Sequence, residues 1–225
     1  GGGNVGAGLG AGANQTFNIG LDTSAAGVFT AGTATFAGVS HNADMADLGL
    51  GNPMVELAAQ INNYANPVFG KTSGDGLFSG GGLSFILNFG TVFQNSGTET
   101  AYLQILNDTL GPSDLLSGFF SSDSPDWVDF DFNYAGFNEF MDLEAGQSFG
   151  GLMLALNTTE LGTFSEMIML SALGYNASGY QQTFDIALMV QGNVVEASAT
   201  PEPTTMLLLG LGLIGLVVIR RKIRK

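Results

Sequence analysis

Thr98 to Leu106 (TETAYLQIL) alternates polar and apolar residues, so Ala101, Leu103 and Ile105 share one face of an extended chain. Asp126 to Phe132 (DWVDFDF) repeats the device, with Val128, Phe130 and Phe132 on one side and Asp129 and Asp131 on the other. A period of two is the mark of a strand with one buried face. Asn95-Ser96-Gly97 precedes the first run and Asn107-Asp108 follows it, both of them turn chemistry. Gly82 to Phe93, Ser148 to Leu156, Thr163 to Leu170 and Thr183 to Val190 are further β-prone runs, and Asp142 to Gly146 reads as a turn. Short strands at this spacing, joined by turns, predict an all-β, antiparallel β-sandwich. Composition agrees: 34 Gly, 17 Phe and only 12% charged residues suit strands and turns better than a helical bundle.

Two stretches of the chain resemble each other. Gln15-Thr16-Phe17 aligns with Gln147-Ser148-Phe149, Leu21-Asp22-Thr23 with Leu156-Asn157-Thr158, and Gly27-Val28-Phe29 with Gly162-Thr163-Phe164. Val55-Glu56-Leu57 then falls against Ile186-Ala187-Leu188, and Asn62 against Asn193. Asn14 and Gly146 stand before the first matched triplets, and both residue types tolerate a positive φ. The period is that of a domain rather than of a solenoid unit. Residues 1–65 are therefore expected to be the C-terminal half of a first, truncated sandwich, entered through the Gly-rich GGGNVGAGLGAGA, and 66–199 a complete second copy. Because the first residue is Gly1, an export signal is expected upstream.

Charge is distributed unevenly. Of six basic residues only Lys71 lies in the body; the others are Arg220, Arg221, Lys222, Arg224 and Lys225. One cation against 20 carboxylates gives the part before Arg220 a net charge of −19. Such a surface repels nucleic acid, which is excluded as a partner. With no cysteine, neither a disulfide nor a thiolate site can form. Thr204 to Ile219 is free of charge, and as a helix it would extend about 24 Å. That is short for a hydrocarbon core of about 30 Å, but snorkelling arginines and bilayer thinning can close the gap, so a single membrane-spanning helix is expected. The basic cluster behind it predicts a cytoplasmic C-terminus with the acidic body on the other side.

Pro201-Glu202-Pro203 stands directly before this run, and two prolines keep the tripeptide extended and available to a processing enzyme. Pro-Glu-Pro, apolar run and basic cluster, in that order over residues 200–225, resemble the PEP-CTERM sorting signal of Gram-negative bacteria. The resemblance implies recognition of Pro201, Glu202 and Pro203 by an exosortase, a membrane intermediate, and transfer of the body to the cell surface or extracellular matrix. It also implies association with exopolysaccharide and biofilm, since the family is typical of bacteria that make them. In the body, Phe89-Gly90-Thr91-Val92, Leu106-Asn107 and Leu143-Glu144-Ala145-Gly146-Gln147-Ser148-Phe149 resemble landmarks of the immunoglobulin-like domains called choice-of-anchor D. Against that pattern, Leu110 to Phe120 reads as a long insert.

Nothing in the sequence assembles a catalytic set, and no enzyme is expected. His41 is the single histidine; with Asp44 and Asp47 it falls short of a zinc ligand set, and no nucleophile motif accompanies it. Asp123, Asp126, Asp129 and Asp131 are the candidate calcium ligands, although their spacing is not that of an EF-hand loop. No other cofactor is indicated. Trp127 and the tyrosines 102, 134, 175 and 180 are candidates to stack on sugars, so a carbohydrate- or calcium-binding adhesion module stands as the alternative to a non-catalytic exported surface protein.

Overall fold

A computed structural model describes residues 8–122, 131–197, 208–214 and 220. Among these, strands dominate. Four of them, β5 (Pro67–Gly74), β8 (Glu99–Asn107), β10 (Phe132–Ala135) and β12 (Ser148–Leu156), form one sheet in the order β10-β12-β8-β5. Six others form a second sheet: β6 (Leu77–Gly81), β7 (Ser84–Phe93), β9 (Leu115–Ser122), β11 (Phe140–Leu143), β13 (Gly162–Tyr175) and β14 (Gln181–Val195). Their order is β11-β9-β13-β14-β7-β6. All pairings are antiparallel except β7 with β14.

The two sheets share one core. Ala101, Leu103 and Ile105 of β8 are fully buried, as the alternation predicts, and Leu152, Leu154 and Leu156 of β12 join them. From the facing sheet come Phe85 and Leu87, Leu116 and Phe120, Ile168 and Leu170, and Ile186, Leu188 and Val190. Phe69 on β5 meets Phe85 and Phe120 across the interface, with ring centroids 5.7 and 6.3 Å apart. Burying side chains of this size contributes about 1.5–3 kcal/mol each, and this is what holds the layers together.

Several sequence expectations need refining. Residues 115–120, read as part of an insert, belong to β9, a strand that pairs with β13 over its whole length. The run expected over Thr163 to Leu170 continues to Tyr175, paired on both sides; Ala172 and Gly174 fall on its buried face, and a Cβ on Gly174 would come within 3.0 Å of Ala65. Phe132 is buried and begins β10, whereas the preceding part of the acidic run, 123–130, lies outside the described residues.

Before the sandwich, β1 (Gly27–Thr35) pairs with β4 (Met54–Ile61), and β2 (Val39–Asn42) with β3 (Met45–Gly49). In the β1–β4 ribbon Phe29 opposes Ala59 and Gly27 opposes Ile61, so one face is apolar. Gln15 to Phe17 lies in no strand, unlike its counterpart at the start of β12, and Asn14 does not share the positive φ of Gly146 (73°). After the sandwich, 208–214 is helical. Among the described residues no helix is long and apolar enough to cross a membrane.

Candidate functional site

Four connections gather at one end of the sandwich. The first is 62–66, leading from β4 into β5. Its Asn63 amide donates to Pro112 O (2.8 Å), and Asp114 N donates back to Asn63 O (2.9 Å), stapling it to the β8–β9 loop. Asn107, at the end of β8, is fully buried and holds three of the connections together. Its side chain donates to Asp114 O (3.2 Å) and Leu143 O (3.0 Å) and accepts from Asn66 N (2.9 Å). Its backbone accepts from Gly146 N (2.9 Å) and donates to Gln147 O (3.0 Å). Two landmarks read separately from the sequence, Leu106-Asn107 and Leu143 to Phe149, thus meet in space.

Asp114 is only 2% exposed. One oxygen of its carboxylate accepts from the amides of Asn62 (3.1 Å) and Asn176 (2.8 Å). A buried carboxylate is tolerated only when donors replace its lost water, and these two amides do so. Asn176 belongs to the β13–β14 turn, so the fourth connection is tied in as well.

The resulting cleft has a volume of about 490 Å³. Gln60, Asn62, Glu144, Tyr175 and Asn176 contribute polar groups to its walls, and Pro112 and Leu115 apolar ones. The Tyr175 hydroxyl donates to Asp142 and accepts from Ser117 Oγ (3.3 Å). The bond to Asp142 raises the Tyr175 pKa above its ordinary value, against the opposing Ser117 donation. Asp142 itself sits at φ 60°, a conformation uncommon outside glycine and found disproportionately near functional sites. Beside Asp114, Tyr64 and Tyr180 lie with ring centroids 5.3 Å apart and remain 64% and 39% exposed. Tyr180 is also raised, first by desolvation, then by its neighbour Tyr64 and the charge of Asp114.

The residues singled out by sequence are scattered. His41 and Asp47 face each other at 2.6 Å on the exposed β2–β3 hairpin, and the Asp44 backbone amide donates to Asn42 Oδ1 (3.1 Å). Of the calcium candidates, Asp131 is half-buried and its backbone oxygen accepts from Asn157 (2.7 Å). Asp123, Asp126 and Asp129, like Trp127, lie outside the described residues. Among the described residues no group of three or more His, Asp or Glu side chains is placed to hold a metal ion. Arg220 is helical and exposed, while Pro201, Glu202, Pro203, Arg221, Lys222, Arg224 and Lys225 lie outside the described residues. Tyr64, Asn62 and Asp114 escaped the sequence reading. The only signal for them was the density of amide and turn residues in 62–66 (NNYAN) and 107–114 (NDTLGPSD).

No curated protein matches the chain. Among solved structures, the Vibrio cholerae VesB protease overlaps 54% of this chain and 31% of its own, at 13% identity and a TM-score of 0.34. The chain therefore spans under a third of that protein's length. The ASH / PapD-like domain of human CEP192 overlaps 48% of this chain and 82% of its own, at 13% identity and a TM-score of 0.32. The informative match is local. Residues 199–222 match the PEP-CTERM protein-sorting motif, and the chain is accordingly an exported protein carrying a C-terminal sorting signal of the exosortase-dependent kind.

Proposed function

We propose that the protein is a non-catalytic surface protein whose acidic β-sandwich is displayed outside the cell after exosortase acts at Pro201-Glu202-Pro203. The match over 199–222 carries this reading. The flanking physics supports it. Leu208, Leu209, Leu211, Leu213 and Ile214 are all exposed on their helix, with no protein surface covering them, as suits a segment whose solvent is lipid. The five cations from Arg220 onward then keep the C-terminus in the cytoplasm, and the body with its net charge of −19 lies opposite.

The body is, on this reading, an immunoglobulin-like sandwich related to choice-of-anchor D domains. In support, the chain begins in one sheet (β5), adds β7 to the other in parallel with the last strand, and closes on the β13–β14 hairpin. On the same reading the β1–β4 ribbon is what this chain carries of a first copy and corresponds to the β13–β14 ribbon. Gly27 and Gly162 each open a strand, and in each the phenyl ring two residues on lies 3.2 Å from where a Cβ would project.

Replacing Pro201, Glu202 and Pro203 together by alanine tests the sorting claim. Full-length precursor is expected to accumulate in the membrane fraction of the native host. Normal processing of that variant would overturn the assignment.

A further inference from the structure

We propose that the cleft at the loop end of the sandwich, with the Tyr64–Tyr180 pair beside it, binds a neutral polysaccharide. This assigns a role to the body that the sorting signal does not, and the two stand or fall separately.

The first argument is electrostatic. Glu144 lines the cleft, with Asp142 and Asp114 close by. Lys71 is the one cation before Arg220, and its ammonium is engaged by Gly76 O at 2.6 Å. Nothing there can compensate a phosphate, a sulfate or a uronic acid, so anionic polymers are turned away. A purely apolar ligand is disfavoured too, since the amides of Gln60, Asn62 and Asn176, the Glu144 carboxylate and the Tyr175 phenol would lose water without a partner. Among the described residues no three carboxylates are placed to hold a metal ion, so the ligand class that fits is an uncharged molecule dense in hydroxyl groups.

The second argument is complementarity. A sugar ring presents hydroxyls at its edge and C–H bonds on its faces. The Asn62 and Asn176 amide nitrogens each carry a second N–H beyond the one given to Asp114, and Glu144 accepts from hydroxyls without competing for a cation. The exposed Tyr64 and Tyr180 rings offer flat apolar area that loses little rotamer entropy on binding. A volume of about 490 Å³ lies in the range of small-ligand sites and admits one or two sugar units of a chain passing through an open cleft.

The third is preorganisation. The buried Asp114 carboxylate fixes the Asn62 and Asn176 amides from below, Gln60 Nε2 donates to Asn62 Oδ1 (2.8 Å), and Ser178 N donates to Asn176 Oδ1 (3.0 Å). Side chains already held in place pay less on binding.

The test uses the full chain, purified in a non-glycosidic detergent so that no sugar headgroup competes. It is run through native gels containing a neutral glucan, a neutral galactan, a polyuronate or no polymer. Retardation by at least one neutral polymer and none by the polyuronate is expected. The pair Tyr64→Ala and Tyr180→Ala, at exposed positions, should weaken that retardation at least tenfold while leaving the thermal melt unchanged. Glu144→Gln should weaken it several-fold. Absence of retardation in both neutral gels, equal retardation by the polyuronate, or tyrosine variants that migrate like the parent would each overturn the proposal, leaving the network a purely structural staple. Because sorting is not involved in these gels, the Pro201/Glu202/Pro203 alanine variant should bind like the parent whichever way the processing experiment falls.

Discussion

The amide of Asn176 donates to the carboxylate of Asp114 at 2.8 Å across 62 positions of chain. With Asn62 on the same oxygen, this contact ties three of the connections at the loop end together. Asp114→Ala takes the shared acceptor from two half-buried amides that border the cleft, where water replaces part of it. The expected loss is about 1–2 kcal/mol in urea unfolding, with Asp114→Asn losing less because it retains an acceptor oxygen. Equal midpoints for Asp114→Ala and the parent would show that the network contributes nothing to stability.

Phe69 tests whether the two sheets form one cooperative core. It is 2% exposed and touches Phe85 and Phe120 from the opposite sheet. Phe69→Ala should cost about 3–5 kcal/mol. A double-mutant cycle with Phe85→Ala should return a coupling of about 0.5–1.5 kcal/mol. Strict additivity would mean that the layers are stabilised independently.

Two glycines separate conformational strain from collision. Gly74 has φ 87°, and a Cβ there would lie 2.2 Å from Thr100 O, a backbone atom in the neighbouring strand. Gly146 has φ 73° but open space around it. Gly146→Ala should therefore cost about 1 kcal/mol, for backbone strain alone. Gly74→Ala should cost several times more or prevent β5 from pairing with β8. Chemical denaturation of both variants checks the ranking, which fails if the two losses are equal.

Tyr175 supplies a pH test. Its pKa is raised, chiefly because the protonated hydroxyl donates to Asp142. A group whose folded pKa exceeds its unfolded value contributes stability that is complete below the unfolded pKa, about 10 for tyrosine. That contribution is lost as pH rises through the folded pKa. Asp142→Asn should lower the alkaline midpoint of one tyrosine in a 295 nm absorbance titration and shrink the stability difference between pH 8 and pH 11. An unchanged titration curve would place the cause of the shift elsewhere.

Legibility of the fold tracked side-chain size. β8 was evident because apolar residues alternate along it with nothing to interrupt the pattern, and β12 because Leu152 to Leu156 is a continuous apolar run after the glycines at 150 and 151. β5 and β6 were hidden, since glycines and serines fill GKTSGDGLFSGGG and leave little hydrophobic signal. β9 was obscured by Ser117 and Gly118 at its middle, where a Cβ on Gly118 would come within 2.8 Å of Phe140: the small residue is required by the packing that makes it look unlike a strand. The sorting signal was legible because its parts are contiguous and follow one another in fixed order. The cleft was not, because Asn62, Asp114, Glu144 and Asn176 come from four connections whose meeting depends on sheet topology, which no local pattern encodes.

The β13–β14 hairpin gives the molecule a direction. Its turn, 176–180, belongs to the cleft, while β14 runs unbroken from Gln181 to Val195 before the chain leaves towards the sorting segment. At about 3.3 Å per residue that strand measures nearly 50 Å. The cleft therefore lies at the far end of that strand from the point where the chain continues towards the sorting segment, and the whole length of β14 separates the two.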